Sequence, residues 1–459
     1  MNPQKYDAIL IGTGQAAGTL IAGLLQKDWK IAIVEGAKIG GTCVNDGCSP
    51  TKTLVASARA AHVARRGADF GVNIDHFSID FAKVMERVNH IRTSFSGGLE
   101  GWFSTNPNIT LYRHFAQFES ATVVRVGDEL IESERIYLNV GARPFVPTVT
   151  GLDQVEWLDN RKLLDLSELP QHLLIIGGSY IGIEFAQAYR RLGSAVTIIE
   201  RAPQIMFRED ADIAQIARDV LQGEGIRVVC EAELLHVARG TTAAVSATFK
   251  HGETEETVEA SHLLFAIGRV PNSDTLNLSA AGIQTNERGF IVTDDHLLTT
   301  NPHVWALGDV NGKGAFTHTA VNDAEIVLDN LDGGTRKVSD RIVTYAMYMD
   351  PPLGRVGMSE KDARQSGRAV LMATKKMSSI SRALEKDETH GLVKLIVDAE
   401  TDAFLGATIL GIEGDELINL FTPLMMAGVT WKQFRRTVLT HPTVAELMPW
   451  TLDNLRPLE

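Results

Sequence analysis

The sequence predicts an α/β fold in three parts, two built on parallel sheets and the third of mixed α+β character. Two observations carry this reading. A strand, a glycine-rich turn, a helix, a second strand and a closing acid occur twice, and the 23-residue interval from Gly12 to Glu35 recurs from Gly177 to Glu200. The tail from about residue 339 then changes composition, with methionines and two apolar strand patterns. At 459 residues and 44% apolar side chains, the chain has material for about three domains with real cores.

The elements follow in order. Residues 7–11 (DAILI) read as a strand, 12–18 as a tight turn, 19–27 as a helix and 30–35 (KIAIVE) as the next strand. Residues 50–100 place apolar positions at helical spacing (LVASARAAHVARR and FAKVMERVNHIRTSF) and predict two inserted helices. Short strands are expected over 110–140, with Gly127-Asp128 as a hairpin turn and Gly141 after YLNV. The second copy runs from LLII at 173–176 through AVTIIE to RVPNSD. Strand signals return in FIVTDDHL and HVWALGD and are followed by a helix; the tail adds VKLIVDAE and LGATILG as strands, with helices at 414–428 and 443–450. The expected division is 1–150, 151–276, 277–338 and 339–459, the third segment completing the domain begun by the first.

Charge and cysteine content exclude several classes. The 57 acidic and 44 basic side chains give a net charge of −13 without a basic block, which argues against nucleic-acid binding. No stretch reaches the ~18 apolar residues of a membrane span, so no membrane association is expected. The N-terminal residues, with Lys5 and Asp7, lack the zones of a secretory signal, and a cytoplasmic location is the expectation. Three cysteines cannot build a disulfide scaffold.

Each glycine turn has the composition of a dinucleotide site. Gly12 suits the tight turn, Gly14 leaves room for a pyrophosphate, and Ala17 lets the helix approach the sheet. Free N–H groups at the helix start face the phosphates, and Glu35 can accept from a ribose. In the second copy, Gly177, Ser179 and Gly182 hold the corresponding places, with serine where the second glycine is usual. Glu200 favours the free ribose hydroxyls of NADH, whereas Arg201 beside it can pair with a 2′-phosphate. NADH is the expectation and NADPH the alternative.

Cys43 and Cys48 lie five apart in GGTCVNDGCSPTK, soon after the first ribose-binding acid. Four intervening residues permit a closed dithiol loop, and a helix starting near Cys48 would lower a thiol pKa. A structural zinc site lacks a second ligand pair, Cys230 in IRVVC reads as a buried residue, and no resident metal is expected.

This motif, with the two nucleotide turns, resembles the flavin-dependent pyridine nucleotide-disulfide oxidoreductases, the group that includes dihydrolipoamide dehydrogenase, glutathione reductase and mercuric reductase. The resemblance covers essentially the whole chain. It implies two Rossmann-like domains, the first binding FAD and the second NAD(P)H, plus a C-terminal α+β dimerisation domain. By it, Cys48 is the flavin-proximal sulfur that forms a charge-transfer thiolate, Cys43 is the interchange thiol, and Lys52 and Glu184 are an ion pair beside the flavin. Gly41, Thr42, Ala116, Gly141, Gly268 and Arg269 join the expected cofactor-binding positions. TNPHVWALGD resembles the second FAD signature, with Gly308 and Asp309 on the ribityl chain, and Thr317-His318-Thr319-Ala320 resembles the helix start facing the flavin pyrimidine. Tyr180 is expected to cover the nicotinamide site.

In His441-Pro442-Thr443-Val444-Ala445-Glu446, Pro442 can begin a helix that sets Glu446 to orient the imidazole, a base for dithiol exchange. The resemblance places this histidine against the cysteines of a second subunit, which implies a homodimer with composite sites. Arg201, Ser179 and Phe207-Arg208-Glu209-Asp210 resemble mercuric reductases, yet the tail PWTLDNLRPLE carries no vicinal cysteine pair. The segment from Tyr345 to Gly357, with Pro351-Pro352-Leu353-Gly354-Arg355-Val356, resembles a reactive-chlorine-resistance branch often labelled mercuric-reductase-like. The resemblance implies an FAD-dependent NAD(P)H oxidoreductase passing electrons through Cys43 and Cys48 to a thiol-reactive metal ion such as Hg(II) or Cu(II). The alternatives are a dihydrolipoamide dehydrogenase or other small-disulfide reductase, and a non-catalytic redox sensor.

Overall fold

In a computed structural model describing residues 2–458, two parallel sheets with helices against them carry the nucleotide motifs. The first has strand order Val304–Ala306, Ile136–Leu138, Ala8–Ile11, Ile31–Val34 and Ile109–Tyr112, all parallel. Ala8–Ile11 and Ile31–Val34 are buried throughout, which explains their unbroken apolar runs. One edge strand comes from residue 304 onward, so the second sheet is formed by chain inserted between two strands of the first. That second sheet orders Arg227–Val229, Ala195–Ile199, His172–Ile176 and His262–Phe265, again all parallel. Arg269–Pro271 pairs antiparallel with Ala142–Pro144 and ties the exit of the insert to its entrance.

The two helices expected between residues 50 and 100 are Cys48–Arg65 and Phe81–Thr105. Gly127, at φ +59°, turns the hairpin between Val123–Val126 and Glu129–Glu132. FIVTDDHL is not a strand: Ile291 and Thr293 make only isolated bridges, to Thr285 and Thr299, because Asp294 accepts from the His296 and Leu298 N–H groups and folds the segment back.

The C-terminal part is an antiparallel sheet of six strands, ordered Thr344–Met347, Leu353–Gly357, Phe404–Leu410, Leu392–Asp398, Val370–Lys376 and Arg456–Pro457. The helix expected at 414–428 is broken into Gly414–Leu417, a 3₁₀ turn and Phe421–Met426. The helix expected at 443–450 shrinks to Leu447–Thr451. Lys394, 0% exposed in the centre of the Leu392–Asp398 strand, reaches Asp210 (3.2 Å), Asp212 (2.9 Å) and Glu360 (2.6 Å). The three carboxylates converge on that ammonium, which joins the inserted sheet to the C-terminal one. No helix among the described residues is long and apolar enough to cross a membrane.

Candidate functional site

One continuous cavity of about 2450 Å³ runs between the two parallel sheets and the C-terminal sheet, well above the ~300–1,000 Å³ of a single small-ligand pocket. It is lined by Gly12, Gly14 and Glu35 at one end, by Cys43, Cys48 and Lys52 in the middle, and by Ser179, Tyr180, Glu200 and Arg201 at the other. Gly41, Thr42, Ala116, Gly141, Gly177, Glu184, Gly268, Arg269, Gly308, Asp309, Thr317 and His318 also line it. Ala17 and Gly182 lie buried behind it in helix–sheet contacts. His441 and Glu446 stand away from it.

The two turns are equivalent in detail. Gly12 and Gly177 have φ of +91° and +112°, and a Cβ on either would come within 2.4 Å of Asn139 O or 2.5 Å of Ala266 O, so only glycine fits. Glu35 Oε2 accepts from Thr13 N at 2.9 Å and Oε1 from Ala37 N at 2.8 Å. Glu200 repeats this with Gly178 N at 2.6 Å and Ala202 N at 2.7 Å. Each acid thus anchors its own glycine turn. A carboxylate accepts about four hydrogen bonds, so capacity is left for a ribose. Ser179, at the N-cap of the Tyr180–Leu192 helix, makes no capping bond and offers its hydroxyl to the cavity. Asn139 Nδ2 donates to Gly12 O and Gly14 O at 3.3 and 3.0 Å and closes the first turn; no sequence signal marks it. Two cradles that exclude a Cβ, each facing the start of a helix across a shared cavity, fit two dinucleotides.

The sulfurs sit where two helices begin. Cys48 is the first residue of Cys48–Arg65, and Thr317 is the first of Thr317–Leu331. Both cysteines are free thiols. Thr317 Oγ1 donates to Cys43 Sγ at 3.0 Å and lies 3.4 Å from Cys48 Sγ. The Cys48 pKa is pulled down to about 6, first by the hydrogen bond from Cys43, then by Thr317 and the charge of Lys52, against the opposing effect of burial. Cys43 moves up, first because it is the donor to Cys48, then because burial penalises its charged form and the Cys48 charge stands beside it. The pair therefore shares one proton, held on Cys43, with Cys48 a thiolate at neutral pH.

Lys52, one turn beyond Cys48, binds Glu184 Oε2 at 2.7 Å. Glu184 Oε1 accepts from Tyr348 N at 2.9 Å, and the Tyr348 ring lies 4.7 Å from the Lys52 ammonium. Burial pushes the Asp309 carboxyl up despite Arg269 at 3.5 Å. His318 Nε2 lies 2.7 Å from Thr344 O, and burial holds its pKa down.

His441 Nδ1 lies 3.0 Å from both carboxylate oxygens of Glu446, with the imidazole side chain 76% exposed. The pairing matches the expectation, but its architecture does not. Residues 441–446 form turns rather than the first turn of a helix, and Glu446 is the N-cap of Leu447–Thr451. Thr443 Oγ1 accepts from Glu446 N at 3.2 Å and braces this turn.

Residues 6–324 match the family described as pyridine nucleotide-disulphide oxidoreductase, and 343–452 match its dimerisation domain, which supports a homodimer. A probable pyridine nucleotide-disulfide oxidoreductase, RclA of Escherichia coli (strain K12), is 38% identical over 96% of this chain and 97% of its own length. A mercuric reductase of Streptomyces lividans is 33% identical over 96% of this chain and 94% of its own. Among solved structures, the Cu(II) complex of the HOCl-induced flavoprotein disulfide reductase RclA from Escherichia coli superimposes with a TM-score of 0.88 at 35% identity, covering 99% of both chains. The duplicated nucleotide turns, the paired cysteines between them and these likenesses agree, and the chain belongs to the pyridine nucleotide-disulphide oxidoreductases as an enzyme of the flavoprotein disulfide reductase type that uses FAD and NAD(P)H.

Proposed function

We propose that this enzyme uses NAD(P)H to reduce a thiol-reactive metal ion, Cu(II) or Hg(II), through Cys43 and Cys48. The observation that carries the reading is the split acidity of the two sulfurs: a thiolate at Cys48 and a protonated thiol at Cys43, both on Thr317. Soft thiolates select thiophilic metals, and the Cu(II) complex is known for the similar RclA.

The Gly12 turn with Glu35 would hold the FAD end, and Gly177, Ser179, Glu200 and Arg201 the pyridine nucleotide. Bound FAD supplies the two-electron relay between NAD(P)H and the sulfurs. Gly41, Thr42, Ala116, Gly141, Gly268, Arg269, Gly308 and Asp309 line the path between those ends. Lys52 holds its charge one turn from Cys48 and adds to the effect of Cys43 and Thr317 in favouring the thiolate, while Glu184 keeps Lys52 in place. Oxidation of the thiolate–thiol pair to the disulfide releases two electrons and the Cys43 proton. One Hg(II) takes both electrons, or two Cu(II) ions take one each. Two electrons from one NAD(P)H then restore the pair.

A second reading, reduction of a small disulfide, is favoured by the preformed His441–Glu446 pair. An imidazole beside a dithiol can take its proton and return it to a leaving thiol. Its exposure in a single chain suits presentation to the cysteines of a second copy.

The test is a steady-state panel on the purified flavin-loaded protein, NADH against NADPH, with Cu(II), Hg(II), lipoamide, oxidised glutathione and oxygen. Metal-dependent oxidation of NAD(P)H that is lost in Cys43→Ser and Cys48→Ser is expected. High lipoamide turnover with little response to metal would favour the second reading. Failure of NAD(P)H to reduce the cysteine pair at all would leave only a sensing role.

A further inference from the structure

Two sequence segments, Phe207–Asp210 and Tyr345–Gly357, meet at one buried carboxylate. The Glu209 side chain is 0% exposed. Its Oε1 accepts from the Tyr180 hydroxyl and, at 2.8 Å, from the Tyr345 hydroxyl, while Oε2 accepts from Arg355 Nη1 at 2.5 Å. The loop carrying it is fixed to the second glycine turn, because Met206 N donates to Gly178 O at 2.8 Å and Glu209 N to Met206 O at 2.7 Å.

Above the carboxylate the aromatic rings form a row along the cavity wall. Tyr180 and Tyr345 have centroids 5.8 Å apart, Tyr345 stacks on Phe316 at 5.3 Å and 8°, and Phe316 stacks on His318 at 5.5 Å and 10°. Tyr180 opens the helix that bears Glu184 one turn later, so its ring lies on the pyridine-nucleotide side of the Lys52–Glu184 pair. The row therefore spans from that side to the start of the Thr317 helix.

We propose that Glu209 is a positioning residue whose carboxylate latches Tyr180 against Tyr345, and that the nicotinamide ring enters only when the Tyr180 hydroxyl leaves it. This rests on the functional reading above and adds to it a contribution from the C-terminal sheet. Opening leaves Tyr345 and Arg355 on the carboxylate, so the buried charge stays paired and only one hydrogen bond is exchanged. A bond to a charged acceptor shifts a closed-to-open ratio by roughly tenfold or more. Apparent affinity falls by the fraction of protein that is open, so loosening the latch tightens nucleotide binding.

The experiment titrates flavin-loaded protein with NAD⁺ and NADP⁺, and with ADP-ribose as a probe lacking nicotinamide. Tyr180→Phe keeps the ring and every partner of Arg355, so folding is not at issue. Its Kd for whichever pyridine nucleotide the unaltered protein prefers is expected to fall roughly tenfold, with ADP-ribose shifted less than twofold. Glu209→Gln is expected to move in the same direction, and the double variant no further than the larger single effect. A purely structural Glu209 would lower the melting temperature without tightening nucleotide binding. Pyridine-nucleotide binding within twofold of unaltered protein in Tyr180→Phe, an equal shift for ADP-ribose, or single effects that multiply would overturn the latch alone. Failure of the unaltered protein to bind either nucleotide would overturn the functional reading with it.

Discussion

Replacing Thr317 with valine tests the thiol assignment most directly. Valine keeps the β-branched shape and exchanges the hydroxyl for a methyl, removing one donor from two sulfurs at 3.0 and 3.4 Å. Hydrogen bonds to charged acceptors contribute about 1.5–3 kcal/mol. The hydroxyl lies nearer Cys43 than Cys48, so the lower end applies to the thiolate, about 1.5 kcal/mol. At about 1.36 kcal/mol per pKa unit, this raises Cys48 by about one unit, from about 6 toward ~7. The assay is a pH titration of flavin-loaded protein reduced by two electrons, following the long-wavelength absorbance that a thiolate gives beside oxidised flavin. Lys52 and the Cys43 thiol remain, so the band should persist with its midpoint displaced upward. An unmoved midpoint, or one moved toward acid, would mean that the Thr317 hydroxyl does not stabilise the Cys48 thiolate.

Three further outcomes are expected. Gly177→Ala places a Cβ within 2.5 Å of Ala266 O and should weaken NAD(P)H binding while the protein stays yellow, whereas Gly12→Ala should yield protein depleted of flavin; the reverse pattern in absorbance spectra would exchange the two nucleotide assignments. Lys394→Met leaves Asp210, Asp212 and Glu360 facing one another without their cation and should cost about 3–5 kcal/mol in chemical denaturation; a loss below about 1 kcal/mol would show that the cluster is solvated. In reduced protein, Cys48 ionises at about 6 instead of its ordinary 9.0, so its contribution is full above pH 9.0 and lost as pH falls toward 6. Cys43, raised, contributes fully below pH 9.0 and loses this above it. Relative to a Cys43→Ser/Cys48→Ser double variant, stability should therefore rise from pH 6 to 9, and a flat difference in denaturant midpoints would contradict the shared proton.

The glycine turns, their acids and the cysteine motif were legible because each depends on neighbours within one strand–turn–helix unit. The same 23-residue interval that marks the repeat also delivers Glu35 and Glu200 to equivalent backbone N–H groups. What escaped is held by contacts distant in sequence. Nothing around Thr317 announces that its hydroxyl meets sulfurs more than 260 residues earlier, and Phe207–Asp210 reads only as a segment resembling mercuric reductases until Tyr345 and Arg355 arrive at Glu209 from another sheet. Lys394 escaped for the same reason: VKLIVDAE reads as a strand, and the carboxylates its lysine meets, Asp210, Asp212 and Glu360, lie on two other segments. Pro442 was read as a helix start from local φ preference, whereas Glu446 reaches His441 through a turn braced by Thr443.

The spacing of the charged residues shows how the halves of the site become one. Cys48 and Lys52 are separated by one turn on the first helix, Tyr180 and Glu184 by one turn on the second, and the 2.7 Å Lys52–Glu184 pair joins those turns. Lys52, one turn from Cys48, and Glu184, one turn from Tyr180, are thus fixed to each other through one ion pair. The C-terminal sheet repeats the device with a three-residue step: Tyr345 meets Tyr180 and Glu209, while Tyr348 covers Lys52 and holds Glu184 through its N–H. A shift of that strand would disturb both the tyrosine latch and the environment of Lys52. With the proposed latch, thiol acidity and pyridine-nucleotide access both depend on this segment, and substitutions at Tyr345 and Tyr348 should couple in double-mutant cycles although neither residue touches a sulfur.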